Sequence, residues 1–355
     1  MKQISEIDKN LKVETQIAKD DIRFRDVTKA PFGVYGVFVE DGKFRRMPGN
    51  IAKRLNPRIE ELHTNTAGGR VRFRTDSPYV AIKAKMNGVQ KFPHCALTGL
   101  CGFDMYVNES GEEIYTGTFM PPFDLADGYE SVLDFERRSM REITINFPTY
   151  SGVTELYVGL AEDAEVLEPT PYKSKKPVVY YGSSITQGGC ASRPGNIYQN
   201  IITRRFDIDY INLGFSGNAK GEPVIAEYIA GLDMSAFIYD YDYNAPDVKH
   251  LRETHRAMFE VVRRAHPEIP IVLMSRPKFR LTDGEKERLE VIRDTYESAK
   301  ASGDANVYLI TGPELMALAG NEGTVDNCHP NDLGFASMGK VLGDVMEAFK
   351  EKLYI

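Results

Sequence analysis

Past residue 177 the chain carries five short apolar runs, and nothing else in the sequence constrains its fold as strongly. They are Val178–Tyr181, Tyr210–Leu213, Phe237–Tyr239, Ile269–Met274 and Val307–Ile310. A strand with one wet face alternates apolar and polar residues, so unbroken apolar runs mark strands buried on both faces. Stretches with helical spacing lie between them, such as Val248–Ala265 and Gly284–Ala301. Buried strands alternating with helices predict a parallel sheet layered between helices. In such sheets ligands bind beyond the carboxyl ends of the strands. The residues that directly follow each run are therefore the ones to read for chemistry.

Before residue 170 the rhythm differs. Arg70–Thr75 sets arginines on one face and Val71 and Phe73 on the other, and Tyr79–Ala84, Glu142–Phe147 and Leu156–Leu160 read as further strands. Short alternating segments punctuated by turns predict an antiparallel β-sandwich. The polar, proline-rich stretch Pro169–Pro177 marks the connector. At 355 residues the chain is long enough for two domains, expected at 1–172 and 173–355.

The strand ends carry the candidate chemistry. After the first comes Gly182-Ser183-Ser184-Ile185-Thr186, a tight turn that can present the Ser184 hydroxyl to a cleft or serve only as a turn. It contains neither of the glycine-rich phosphate-binding motifs. After the second, Gly217 in Phe215-Ser216-Gly217-Asn218 can bring a backbone N–H to a developing oxyanion. After the third, Asn244 can donate its amide or cap the next helix. After the fourth, Arg276 and Lys278 can reach substrate or pair with nearby acids. The last strand leads to Asp326-Asn327-Cys328-His329-Pro330 and then a helix expected over Asn331–Lys352. An aspartate three residues before a histidine can hold Nδ1–H and leave Nε2 to take a serine proton, the logic of nucleophilic serine catalysis. A competing metal reading of Asp326, His329 and Asp332 lacks a second histidine. Of the other histidines, His250, His255 and His266 fall on or beside one helix and are expected to be solvated.

The balance of charge narrows the partners. A formal net charge of −7 argues against a phosphate-backbone binder, which needs a basic face. No run approaches the roughly 18 apolar residues of a membrane helix, and the N-terminus has no signal-peptide core, so the chain is read as cytoplasmic, with neither nucleic acid nor membrane as partner. Cys95, Cys101, Cys190 and Cys328 show no zinc spacing. They are expected to be free thiols, with a Cys95–Cys101 bridge as the alternative.

Taken together, these blocks resemble the SGNH, or GDSL, hydrolase superfamily. Gly182-Ser183-Ser184-Ile185-Thr186 is similar to the family's Gly-Asp-Ser-Leu block, with Ser183 in place of the aspartate. Gly217 matches the second block's glycine. Asn244 stands where the third block, Gly-x-Asn-Asp, has its asparagine, although Asp242 and Ala245 replace the flanking residues. Asp326-Asn327-Cys328-His329-Pro330 matches the final Asp-x-x-His-Pro. Upstream, Gly102-Phe103-Asp104-Met105-Tyr106 resembles the Gly-x-Asp-Leu-Tyr motif of a β-sandwich that precedes one subfamily.

The resemblance implies a C-terminal flavodoxin-like three-layer α/β/α domain preceded by a jelly-roll-like antiparallel β-sandwich. It implies a Ser184–His329–Asp326 triad, an oxyanion hole of Ser184, Gly217 and Asn244, and no cofactor or metal. Tyr243, Asp242 and Arg276 are the expected substrate contacts, and Tyr181, Tyr198, Asp240 and Tyr241 are further groups suited to sugar hydroxyls. The expected reaction removes a short acyl group, O-acetyl first, from a small-molecule or oligosaccharide ester. Acyl transfer to an alcohol and non-catalytic glycan binding are the alternatives, and homo-oligomerisation stays open.

Overall fold

The computed structural model describes Val13 and residues 16–355, apart from Ser110. Two antiparallel sheets face each other in the first half. One is ordered β1 (Ile22–Asp26), β11 (Gly152–Ala161), β6 (Tyr79–Asn87), β9 (Gly128–Asp134). The other runs β12 (Val166–Leu167), β5 (Arg70–Thr75), β10 (Arg141–Asn146), β7 (Phe103–Glu109), β8 (Glu112–Phe119), with β2 (Gly33–Tyr35) also on β5. Val80, Ile82, Val158 and Leu160 from the first sheet meet Val71, Phe73, Ile143 and Ile145 from the second in one buried core. The alternation read from the sequence is the pleat of these strands.

The second half holds five parallel strands, β13 (Val178–Gly182), β14 (Tyr210–Gly214), β15 (Ala236–Asp240), β16 (Ile271–Met274) and β17 (Val307–Ile310). Their spatial order is β14-β13-β15-β16-β17, the flavodoxin-like arrangement. Separate apolar cores cover the two faces, one around Tyr181, Leu213 and Phe237 and one around Tyr180, Ile238 and Met338. Helices cover both faces, as Val248–Ala265, Asp283–Ala301 and Asp332–Glu347 illustrate. The last of these stops short of the expected Lys352, because the chain tightens into a 3₁₀ turn over Lys350–Tyr354. Among the described residues no helix is long and apolar enough to cross a membrane.

Two features depart from the sequence reading, while the cysteines follow it. Residues 38–62 are not part of either sandwich sheet. They form a hairpin of β3 (Phe38–Glu40) and β4 (Lys43–Arg45), followed by helices Gly49–Leu55 and Pro57–Leu62. Met47, Ala52 and Ile59 from this segment pack into the core beside Val179 and Tyr181 of the parallel sheet. His255, expected in solvent, is 1 % exposed, lies against the Tyr239 ring and bonds Thr295 through Nδ1 at 2.9 Å. Burial pulls its pKa down to about 3, so it is a neutral core residue. Finally, the Cys95 sulfur lies 3.2 Å from Cys190, while Cys101 points elsewhere, toward the Gln90 carbonyl. All four cysteines are free.

The arginine face of β5 is buried as well. Arg70 is buried, paired with Asp209 and stacked 4.0 Å from the Tyr210 ring centroid. Arg72 is paired with Glu142 at 3.0 Å and stacked on Tyr172. Asp104 of the Gly-Phe-Asp-Met-Tyr motif accepts from Arg193 at 2.8 Å and from the Gly195 N–H at 2.7 Å, and the Tyr106 hydroxyl accepts from Arg193 at 2.6 Å. The motif thus grips the loop that follows β13.

Arg46 ties the same two halves more deeply. Its guanidinium donates to the carbonyls of Asn65 (2.7 Å), Leu62 (2.7 Å), Asn212 (3.1 Å) and Gly214 (2.7 Å) at 1 % exposure. Burial pulls its pKa below the usual arginine value, and the carbonyl dipoles replace the water it has lost. Removing the guanidinium leaves four buried carbonyls short of a donor, and at about 1–3 kcal/mol for an unsatisfied buried group the loss comes to at least about 3–5 kcal/mol. Arg46→Met is therefore expected to lower the unfolding free energy by about that amount in a denaturant titration. A loss under about 1 kcal/mol, the net worth of an ordinary hydrogen bond, would mean that water or another donor reaches those carbonyls.

Candidate active site

The site forms at the carboxyl end of the parallel sheet, around β13. Gly182 ends that strand where a Cβ would stand 1.7 Å from the Asp240 carboxylate, so no larger residue fits. The chain then turns into a one-turn helix, Ser184–Gln187, with the Ser183 hydroxyl accepting from the Ile185 N–H as N-cap. Ser184 is the first residue of that turn, which aims its side chain out of the sheet. Its Oγ lies 2.9 Å from His329 Nε2.

His329 reaches Ser184 from a loop folded about Asp326. One oxygen of that carboxylate accepts from the backbone N–H of Cys328 (3.1 Å) and of His329 (2.7 Å), and the other accepts from His329 Nδ1 at 2.8 Å. Asn327 takes a left-handed φ of +63°, which asparagine tolerates and which lets the loop double back. Burial opposes the charge on Asp326, yet the His329 N–H, its ring and the Cys328 N–H hold the carboxyl below its usual value. The neighbouring Cys328 thiol and the Asp326 carboxylate push the His329 imidazole up to about 9, against the effect of burial. Asp332 stays outside this group, accepting instead from the Ser192 N–H at 2.9 Å and from its hydroxyl.

Two further strand ends flank β13 at this edge of the sheet. Gly217 has φ +69°, a left-handed conformation strained for any side chain, and a Cβ there would point into open space. The Asn244 amide oxygen accepts from the Ala219 N–H at 3.2 Å, which fixes the side chain and turns its NH₂ toward other partners. Gln187 braces this wall. Its amide donates to Asn65 Oδ1 and to the Thr149 carbonyl, both at 3.1 Å, and accepts from the Ser216 N–H at 3.0 Å. Tyr150 donates to the Ser184 carbonyl at 3.3 Å. Asn65, Thr149 and Tyr150 all come from the sandwich half.

The expected substrate contacts separate. Tyr243 is half-buried beside Cys328, with Arg276 4.2 Å over its ring. Asp242, at 1 % exposure, is enclosed and paired with Arg276 at 3.2 Å. Arg276 bonds Glu285 at 3.2 Å, and Lys278 does so at 3.0 Å, so the salt-bridge alternative describes both cations. Tyr181, Tyr198, Asp240 and Tyr241 are all buried, so they pack the sheet and do not face a ligand. Burial pushes Asp240 up to about 8 while Thr186 donates to it.

One neighbour escaped the sequence reading. His94, exposed on the sandwich loop before the helix Leu97–Leu100, has its ring centroid 5.7 Å from that of His329. Its local sequence carries no motif. Only the docking of the two halves brings it to the site.

Two family descriptions match. Residues 175–347 match the GDSL-like lipase/acylhydrolase family, and residues 22–166 match the GxDLY N-terminus of SGNH-hydrolase-type esterases. No curated protein matches the sequence. Among solved structures, a candidate GDSL-like lipase from Bacteroides ovatus is 29% identical over 94% of this chain and 98% of its own, with a TM-score of 0.82. The salicylyl-acyltransferase SsfX3 of a tetracycline biosynthetic pathway is 22% identical over 93% and 98%, with a TM-score of 0.75. A family two carbohydrate esterase from Cellvibrio japonicus is 11% identical over 94% and 99%, with a TM-score of 0.62. With its β-sandwich, its flavodoxin-like sheet and matches to both halves, the chain belongs to the SGNH/GDSL hydrolase superfamily of esterases, in the subfamily that carries an N-terminal GxDLY domain.

Proposed function

We propose that this enzyme is a serine esterase that removes short acyl groups, O-acetyl in the first instance, from a carbohydrate or small oligosaccharide. The observation that carries the reading is the continuous chain from Ser184 Oγ through His329 to Asp326, with contacts of 2.9 and 2.8 Å. In this mechanism His329 Nε2 takes the Ser184 proton as Oγ attacks the ester carbonyl, while Asp326 fixes the tautomer and stabilises the imidazolium. The N–H groups of Ser184 and Gly217 and the amide of Asn244 hold the oxyanion. The alcohol leaves with the proton from His329. Water, deprotonated by the same nitrogen, then frees the acyl group as its acid.

Ser184 is only 8 % exposed, with its hydroxyl turned to His329, which favours a short acyl chain over a long apolar one. The carbohydrate reading draws on likeness of layout. Family two carbohydrate esterases resemble this chain in fold over both halves, and one from Clostridium thermocellum was solved with cellohexaose at 14% identity and a TM-score of 0.59. Acyl transfer is the second reading, supported by the two-domain likeness to SsfX3. The same residues perform it when an alcohol reaches the acyl-enzyme before water.

Acetate release from acetylated mono- and oligosaccharides, beside p-nitrophenyl acetate, tests the proposal directly. Sugar deacetylation that disappears in Ser184→Ala is the expected result. Adding acceptor alcohols separates hydrolysis from transfer by the ester that accumulates. Activity that survives in Ser184→Ala would refute the nucleophile. Asn244→Ala is expected to lower kcat by about 10²–10³ with little change in KM, since in this mechanism its NH₂ group meets the substrate only as the oxyanion develops.

The pH profile tests His329. The base must be neutral, and Cys328 and Asp326 raise its pKa, so kcat/KM should climb with pH through a midpoint above 6.5, near 9. Both Cys328→Ala and Asp326→Asn should move that ascending limb to lower pH when the profile is recorded with EDTA present. A midpoint unmoved in both variants would assign the limb to another group.

A further inference from the structure

The cleft gathers more nitrogen and sulfur ligands than ester hydrolysis uses. One ring nitrogen each of His94 and His329 and the sulfur of Cys190 lie within 4.8 Å of one another. They come from three separate segments, namely the sandwich loop before Leu97, the turn that follows Ser184–Gln187 and the Asp326–Pro330 loop. Two more thiols adjoin the trio. Cys95 Sγ is 3.2 Å from Cys190 Sγ, and Cys328 stands within 4.8 Å of His329. Cys190 is held inward at a left-handed φ of +70°, rare for a side-chain-bearing residue, on a loop that Arg193 anchors to Asp104.

Imidazole and thiolate together suit a borderline-soft divalent cation with tetrahedral preference. Zinc takes sulfur at about 2.3 Å and nitrogen at about 2.0–2.1 Å, which sets ligand atoms roughly 3.3–3.8 Å apart. The observed spread reaches that by side-chain adjustments of an ångström or so. His329 Nδ1 is held by Asp326, which leaves Nε2 to face a metal and reproduces the carboxylate–histidine–metal arrangement that orients ligating imidazoles.

We propose that His94, Cys190 and His329 form an inhibitory site for Zn²⁺ or a cation of the same thiophilic class, spanning both halves of the chain. On binding, the Cys190 thiol releases its proton to solvent, and the sulfur and both imidazole lone pairs donate to the metal. The lone pair of Nε2 is then engaged, so His329 cannot accept the Ser184 proton and turnover stops until the metal leaves. The inhibitory consequence rests on the serine-esterase reading; the binding site does not.

Cobalt and zinc titrations of the reduced full-length protein separate the two. Co²⁺ should give a thiolate-to-cobalt charge-transfer band that saturates at one equivalent. The band should be lost in Cys190→Ser, and His94→Ala should bind at least about 10-fold more weakly. Zn²⁺ should inhibit p-nitrophenyl acetate hydrolysis by the wild type, with EDTA restoring it. Both variants should keep their metal-free activity and need at least about 10-fold more Zn²⁺. Absence of a charge-transfer band would overturn the site. So would equal zinc sensitivity in all three proteins, which would place the ion on His329 without His94 or Cys190. A wild type with the cobalt band and no metal-free esterase activity would instead refute the catalytic reading while upholding the site.

Discussion

Carbonyl groups at the carboxyl end of β14 need donors, and the sandwich half supplies them. Arg46 spends its guanidinium on Asn212 and Gly214 of that strand and on Leu62 and Asn65 of its own segment. Buried backbone acceptors must be paired, and here the pairing crosses from one half of the molecule to the other. Everything nearer the chemistry is built on that seam. Asn65 and Thr149 hold Gln187, Gln187 holds the Ser216 N–H, and Gly217 follows directly. The sandwich therefore helps to fix the backbone at Ser216 and Gly217.

Pre-positioned donors matter because catalysis by dipoles depends on their being aimed before the charge develops. Gln187 is fully buried and its amide is bonded on both sides. Tyr150 adds a second brace at the Ser184 carbonyl. On the opposite wall the Asp326 loop organises itself, since one carboxylate satisfies two backbone N–H groups and the imidazole together. One wall is thus rigid through contacts between distant segments, the other through contacts within a few residues.

That difference explains what could be read from the sequence. Asp326 and His329 are close in the chain and explain each other, and the serine turn announces itself because Gly182 and Ser184 bound a buried run. The five parallel strands were legible because burial on both faces leaves an unmistakable apolar signature. His94 and Cys190 were not legible as neighbours, being about a hundred residues apart and joined only by docking. The helices of residues 49–62 were hidden inside a region whose flanking strands set the expectation. His255 misled for a related reason: a histidine on an amphipathic helix looks solvated until Tyr239 and Thr295 are seen to cover it.

The excursion of residues 38–62 onto the parallel sheet has a consequence for modularity. Met47, Ala52 and Ile59 fill part of the α/β core, so neither half has a surface finished enough to be cut free. A chain ending at the connector would carry an apolar patch with nothing to cover it, and a chain starting there would have a hole in its core. Many multidomain enzymes exchange appendages by recombination at linkers. In this architecture the cut at the linker severs a shared interior, and the two parts are expected to travel through evolution as one heritable unit.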